Sequence, residues 1–291
     1  MAKKNHRKAL ETEASFAERI ARLSAKRQEI VRPILEHPRG YVLLSVRAIA
    51  KRLRTDPATM VRIVRGLGFP SYREFQRYLH DLSIAYATSL DTMRTSAVRD
   101  SSPPGYIREA LDQELKNLQG LKNSLDSRRL VAVARRLYSA KRILVLAGDL
   151  AASLASFMEY ESSILGLPVV CGTSAGRVAH LVRTTGKGDV VFGISFRRGL
   201  RQTVEGIQQA REQGAYCIGI TDTYVSPLAR FCNEVFLASV ETTSFGASYV
   251  APMALMNALM VACANYKRAR TFTLLKLADE EQRKGYRWYP A

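Results

Sequence analysis

Thr59, Arg62 and Arg65 stand at i, i+3 and i+6 in the run from Asp56 to Phe69. On a helix that spacing puts the three side chains on one face. An arginine fork can donate two hydrogen bonds to one guanine, so a helix carrying such a face suits the major groove of duplex DNA. Lys51, Arg52 and Arg54 lie just upstream and suit contacts to phosphates. The plainer alternative is a set of solvated charges on an ordinary helical bundle. A second basic pair, Arg197 and Arg198, follows Ser195 and the apolar run Val190–Ile194. Two guanidinium forks there could clamp a carboxylate or phosphate, and Thr203 could add a hydroxyl. They could equally be surface charges or lie at a subunit contact.

The first group needs two short helices to position it. Val46, Ile49, Ala50 and Leu53 form the apolar stripe of one. Arg54 and Thr55 make the turn, Asp56 is a good N-cap, and Pro57 suits the first helical position. The second helix is expected to bury Val61, Val64 and Leu67 and to end at Gly66 or Gly68. Two helices with so short a turn predict a helix-turn-helix over about residues 45–69. Periodic apolar residues continue through 72–82, and no strand-like alternation occurs before residue 98.

The second group needs a sheet. Short apolar runs at Ile143–Ala147, Pro168–Cys171, Val190–Ile194, Tyr216–Ile220 and Val235–Leu237 alternate with helical stretches near 151–165, 174–184, 201–213 and 226–231. That alternation predicts an α/β, doubly wound, parallel five-stranded sheet covered on both faces. Ligands in such sheets bind beyond the C-terminal strand ends. Gly148 and Asp149 follow the first run, Ser195 the third and Glu241 the fifth, so these join Arg197, Arg198 and Thr203 as expected effector-binding residues.

A length of 291 residues suits two domains, and the 47% hydrophobic content excludes a wholly disordered chain. The chain carries 44 Lys+Arg against 26 Asp+Glu, a net charge of +18. Residues 1–80 alone hold 18 Lys+Arg and 7 Asp+Glu, which favours a polyanion partner for that part, nucleic acid before membrane. The expected division is a helical domain over 1–98, a linker over 99–105 where Pro-Pro-Gly interrupts the pattern, and an α/β domain over 106–291. Cys171, Cys217, Cys232 and Cys263 and the four histidines are too scattered for a zinc cage or a disulfide framework. Neither a metal nor a cofactor is expected, and no nucleotide loop occurs. The basic N-terminal run lacks an apolar core, so no signal peptide is expected and a cytoplasmic protein is. The uncharged stretch 242–266 would just span a bilayer. Its Ser, Pro and Asn residues favour a helix buried inside a domain, and no membrane partner is expected.

The run from Ser45 to Leu53, the Ala58-Thr-x-Val-Arg62 core, Leu67-Gly-Phe69 and Tyr72-Arg-Glu-Phe75 together resemble the N-terminal domain of RpiR-type bacterial transcription regulators. Residues 125–265 are similar to the sugar isomerase (SIS) domain that follows in that family. The resemblance rests on the segments 142–147, 189–195, 210–215, 218–222, 226–229, Ser244-Phe245 and 251–257. The resemblance implies a two-domain regulator, all-α then SIS-like α/β, that binds operator DNA and senses a phosphorylated sugar. Two family segments depart here. The G-x-G-x-S pattern reads Ala147-Gly-Asp-Leu-Ala151, and S-x-S-G-x-T reads Ser195-Phe-Arg-Arg-Gly-Leu200. Most hydroxyls that would hold a phosphate at a helix N-terminus are therefore missing, and Asp149 would oppose an anion there.

The reading is a regulator that binds double-stranded operator DNA and responds to a small anionic effector, a sugar phosphate or sugar acid. It is expected to form a homodimer or homotetramer, with the helix over 251–264 and its methionines at the interface. The alternative is a sugar-phosphate isomerase with a basic helical extension. Isomerisation needs a base, for which Glu159, Glu161, His180 and Glu241 are available. Glu241 is the most suggestive of them, but no residue is assigned a catalytic role.

Overall fold

The computed structural model describes residues 15–36, 38–42, 44–85, 93, 102–197, 199–224, 226–243 and 245–285. Of the expected linker, residues 99–101 lie outside this range, as does Arg198. The described chain forms two compact units. The first holds residues up to Gln113 with Thr223–Arg230 and Glu241–Ala247; the second holds Glu114–Asp222, Phe231–Val240 and the residues from Ser248.

Among the described residues, five helices build the first unit before residue 93: α1 (Ser15–Arg22), α2 (Ala25–Glu36), α3 (Val46–Arg52), α4 (Pro57–Gly66) and α5 (Tyr72–Ala85). Their core is Val31, Ile34, Leu35, Ile49, Met60, Ile63, Val64, Leu67, Phe75 and Leu79. The α4 stripe differs from expectation. Met60 and Ile63 are buried with Val64 and Leu67, while Val61 is half-buried. The pattern 60, 63, 64, 67 is the complete i, i+3, i+4, i+7 stripe, which centres the core-facing side one residue away from Val61. Likewise Ile49 and Ala50 are buried on α3, whereas Val46 and Leu53 are half-buried at its ends.

The sixth helix, α6 (Pro103–Ser124), begins inside the stretch expected as a linker. Pro103, Pro104 and Gly105 form its first turn, where a missing N–H costs nothing because those donors have no intrahelical partner. The division between the two units falls within α6, after Gln113.

The second unit is a parallel sheet in the order β2–β1–β3–β4–β5, from β1 (Ile143–Leu146), β2 (Val169–Gly172), β3 (Val190–Ile194), β4 (Tyr216–Thr221) and β5 (Glu234–Leu237). All four pairings are parallel. Helices α7 (Ser127–Tyr138), α8 (Ala152–Ile164) and α11 (Val250–Tyr266) share a core with Ile143, Val145, Phe192 and Ile218. Helices α9 (Ala175–Val182) and α10 (Arg201–Glu212) pack together against strands of the same sheet. The residues of β1 and β3, and all but the first of β4, are buried, which is why they read as continuous apolar runs, while the edge strands β2 and β5 are partly half-buried. A last helix, α12 (Arg268–Arg283), follows α11. The expected helix near 226–231 is a short 3-10 turn, Leu228–Phe231.

Of the α11 methionines, Met253 is half-buried. Met256 and Met260 are buried, because α11 is apolar all round and lies against both α7 and α8. Among the described residues no helix is long and apolar enough to cross a membrane. Cys171, Cys217 and Cys263 are free and buried, and burial pushes their thiols up to about 12, 11 and 12.

Gly206 marks the tightest helix–sheet contact. A Cβ there would lie 2.8 Å from Val178 Cγ1 and 2.9 Å from Leu146 Cδ1. Alanine is worth about 1 kcal/mol over glycine in a helix interior, whereas overpacking costs about 1–3 kcal/mol. Both neighbours are buried, so steric cost wins. Gly206→Ala is expected to lower stability by about 1 kcal/mol or more, measured by urea titration; an increase would mean that the α9–α10 contact yields freely.

Candidate functional site

Two places in the structure gather chemistry. The first is the α3–α4 pair. Ser45 caps α3, its Oγ accepting from Ala48 N at 3.3 Å. At the end of α3, Thr55 N donates to Ala50 O and Arg54 N to Lys51 O, which puts Arg54 in the left-handed region at φ 53. Asp56 caps α4: Thr59 N donates to Oδ1 at 2.8 Å and the Thr59 hydroxyl to Oδ2 at 2.6 Å. These bonds hold the Asp56 carboxyl below its ordinary range. At the far end Gly68 has φ +88, with Gly68 N donating to Arg65 O and Phe69 N to Val64 O. That closure needs a left-handed residue, which Leu67-Gly68-Phe69 supplies.

The expected DNA-facing residues then separate by what they touch. Arg62 and Arg65 are exposed, opposite Met60, Ile63, Val64 and Leu67. Lys51 and Arg54 are exposed as well. Thr59 is half-buried and its hydroxyl is taken by the cap. Arg52 is tied back: Nη1 donates to Gly40 O at 2.8 Å and the guanidinium lies over the Tyr41 ring, 4.7 Å from its centroid. Its charge remains at the surface, but its donors already hold the turn before α3.

The second place is the crevice beyond the C-terminal ends of β1 and β3, the point where strand order reverses. Gly148 is extended, and a Cβ on it would come 2.4 Å from Leu200 Cδ2 and 2.7 Å from Gln202 Nε2. The ends of the Leu200 and Gln202 side chains occupy the space above Gly148 and would have to move aside for a larger residue. Asp149 follows at φ 56 and is exposed. Ser195 is buried and its Oγ accepts from Leu200 N at 2.8 Å, closing the loop from β3 to α10. Arg197 is left-handed at φ 59, and its N–H donates to Asp222 Oδ1 at 2.9 Å. Asp222 Oδ2 and Thr203 Oγ1 are buried and lack a hydrogen-bond partner.

Burial raises the Asp222 carboxyl above the usual Asp range, opposed by the N–H of Arg197. Tyr249 stacks on Phe196 at 5.2 Å, and burial pushes its hydroxyl up to about 12, with Asp149 adding to the shift and Arg197 opposing it. Asp149, Arg197, Asp222 and Tyr249 therefore share one electrostatic environment. Glu241 is grouped instead with the first unit, where it accepts from Gln113 Nε2 at 3.3 Å. Asp222, Tyr249 and Gln202 were missed from the sequence. Asp222 was findable, because it is the first residue past an apolar run. Tyr249 precedes a helix rather than following a strand, and nothing in its neighbours points to the crevice.

Residues 136–262 match the SIS domain family. An uncharacterised HTH-type transcriptional regulator of Caldanaerobacter subterraneus is 27% identical over 250 residues, 82% of this chain and 85% of its own length. The HTH-type transcriptional regulator HexR of Pseudomonas aeruginosa is 25% identical over 212 residues, 73% of each chain. Among solved structures, the sugar isomerase domain of an RpiR transcription factor from Sphaerobacter thermophilus shares the fold with TM-score 0.57 and 24% identity, covering 60% of this chain and 98% of its own. Vibrio vulnificus NanR, solved with ManNAc-6P, has TM-score 0.55 and 19% identity over 91% of this chain and 96% of its own. The α/β unit thus carries a SIS domain. The relatives matched over most of this chain are HTH-type transcriptional regulators, RpiR of Escherichia coli among them, in keeping with the resemblance of its motifs.

The raised Asp222 carboxyl sets a pH dependence. A carboxyl that ionises less readily in the folded chain contributes stability fully below the ordinary Asp range and loses it as pH rises through the raised value. Asp222→Asn keeps an acceptor for Arg197 N and cannot ionise. Its melting temperature is expected to fall less than wild type's between pH 4 and pH 7, and to equal or exceed it at pH 7. Parallel melting curves across that range would show Asp222 to be ordinarily solvated.

Proposed function

We propose that the protein is a ligand-responsive transcription regulator. Helices α3 and α4 form a helix-turn-helix with α4 in the major groove, and the SIS domain senses a small, anionic, carbohydrate-derived metabolite. The observation that carries the DNA half is the exposed pair Arg62 and Arg65 on the solvent side of a doubly capped helix. Relatives that are transcriptional regulators over most of their length support it. Arg62 and Arg65 read base edges, while Lys51 and Arg54 neutralise phosphates. Thr59 and Arg52 support this surface by fixing the cap and the preceding turn. A symmetric homodimer or homotetramer would present paired reading heads to a palindromic or repeated operator.

In the crevice, Arg197 supplies the cationic clamp, with Arg198 as its neighbour. Asp149, Asp222 and the Tyr249 hydroxyl suit the hydroxyl groups of a polyol, and Thr203 offers an unsatisfied hydroxyl at the start of α10. NanR, of the same fold, was solved with a sugar phosphate, which supports this ligand class. Anion recognition here rests on guanidinium groups, since Ser195 is spent on its own loop. A regulator needs no base at the substrate carbon, and Glu241 lies with the first unit, so the reading assigns no catalytic residue.

Selection from random duplexes followed by titration tests the DNA half. Arg62→Ala is expected to weaken binding to the selected site by about 1–3 kcal/mol and to relax sequence preference, with melting temperature unchanged. Lys51→Ala should weaken binding evenly across sequences and reduce the salt slope by about one. Undiminished preference in Arg62→Ala would remove α4 from the groove. For the sensor half, thermal shift across sugar phosphates and sugar acids should find a ligand whose effect disappears in Arg197→Ala. A ligand turned over to product by the purified protein would favour an isomerase instead.

A further inference from the structure

The amino ends of β3 and β4, opposite the crevice end of the strands, open into a pocket of about 630 Å³. That volume is ample for a small metabolite. Arg136 reaches it from α7, Lys187 from the turn before β3 and Arg211 from the last turn of α10. The Arg136 guanidinium carbon lies over the Tyr216 ring, 3.6 Å from its centroid, which anchors the cation at the pocket wall. Asp189 also lines the pocket, but its charge is used. Arg142 Nη2 donates to Oδ2 at 2.6 Å, and Gly186 N donates to the same oxygen at 3.0 Å.

Arg136, Lys187 and Arg211 make no ion pair with any described residue. Other exposed arginines do: Arg77, Arg201 and Arg283 each hold an acid one turn away on the same helix. Three like charges around one cavity, without a counter-charge, are mutually unfavourable until an anion enters. Gly214 stands at φ +88 and a Cβ on it would meet nothing within 4 Å, so the wall there is bare backbone open to a ligand, whereas Gly188 is covered by the Lys141 side chain.

We propose that this pocket is a second ligand site of the SIS domain, separate from the crevice, and that it takes a compact metabolite bearing two or more phosphoryl or carboxylate groups. One charge would leave two cations uncompensated, so multiply charged anions are preferred over singly charged ones. Arg136 offers a planar fork to one anionic group, while Lys187 and Arg211 hold another from the facing walls.

The test is calorimetric titration of the full-length chain with inorganic pyrophosphate, and with inorganic phosphate for comparison. Pyrophosphate is expected to bind more tightly than phosphate and to weaken as salt is raised. The double variant Lys187→Ala, Arg211→Ala should bind pyrophosphate about a hundredfold more weakly, roughly tenfold per cation removed. Arg136→Gln, which keeps a flat amide over Tyr216, should cost about tenfold by the same reckoning. Arg197→Ala should leave pyrophosphate binding intact. All these side chains are at the surface, and unchanged melting temperatures confirm the comparison. The proposal is overturned by wild-type protein that binds no pyrophosphate at millimolar concentration. It is also overturned if binding survives the double variant, or is lost in Arg197→Ala alone, which would place the anion in the crevice. Weakened duplex binding by the double variant without any pyrophosphate binding would make the cavity a DNA backbone contact, and that too refutes a metabolite site.

Discussion

A single backbone amide, that of Arg197 donating to the Asp222 carboxyl, holds the shape of the crevice. The loop that carries Arg197 is conformationally costly. Its residue sits in the left-handed region, a position worth roughly 1 kcal/mol against a side chain that bears a Cβ. The carboxyl it meets is buried at the end of β4, with one oxygen unpartnered. Neither feature would persist alone. The bond between them, together with the Ser195 hydroxyl on Leu200 N, makes the two adjacent strand ends define one rigid rim. Strain and an unsatisfied polar atom at one point of a fold are the features on which the proposed ligand site rests.

The same rim explains the departures from the usual SIS sequence. Small hydroxyl residues in the two loops would leave an anion room at the start of α10. Here Leu200 and Gln202 close over Gly148, and Ser195 turns inward. In the proposed reading, negative charge is received by the Arg197 guanidinium instead. Long, flexible cations recognise charge from further away than backbone amides do, and they tolerate a range of anion shapes. The acidic and phenolic groups beside Arg197 add acceptors and a donor suited to hydroxyls. The result is a crevice with mixed polarity rather than a phosphate cup.

Local hydrogen bonds do comparable work in the helical unit. Asp56 and Thr59 start α4, Gly68 stops it, and Arg52 pins the turn before α3. The basic residues around α4 fall into two classes as a consequence. Some carry structure through their donors, as Arg52 does, and others leave their donors to solvent, as Arg62 and Arg65 do. Net positive charge is thus a poor guide to which arginine meets a partner. The pattern of bonds already made is a better one.

The sequence alone determined what depends on neighbours along the chain. Both caps of α4, the five strands, the helices between them and the family resemblance were legible, because apolar periodicity and turn chemistry act over a few residues. Three local readings differ from the structure, the first being the helix expected near 226–231, which is only a 3-10 turn at Leu228–Phe231. The stripe on α4 was centred one residue astray, since Val61 and Met60 are equally apolar and only packing chooses between them. Pro103-Pro104-Gly105 read as a break but begins a helix, because proline is costly in a helix interior and costs nothing in its first turn. What only the tertiary structure decided is convergence. Asp222 and Tyr249 join Asp149 and Arg197 from distant parts of the chain, Glu241 is set with the other unit, and Arg136 stacks on Tyr216 across eighty residues. Strand order and helix packing bring such groups together, and no spacing in the sequence encodes a distance between residues that far apart.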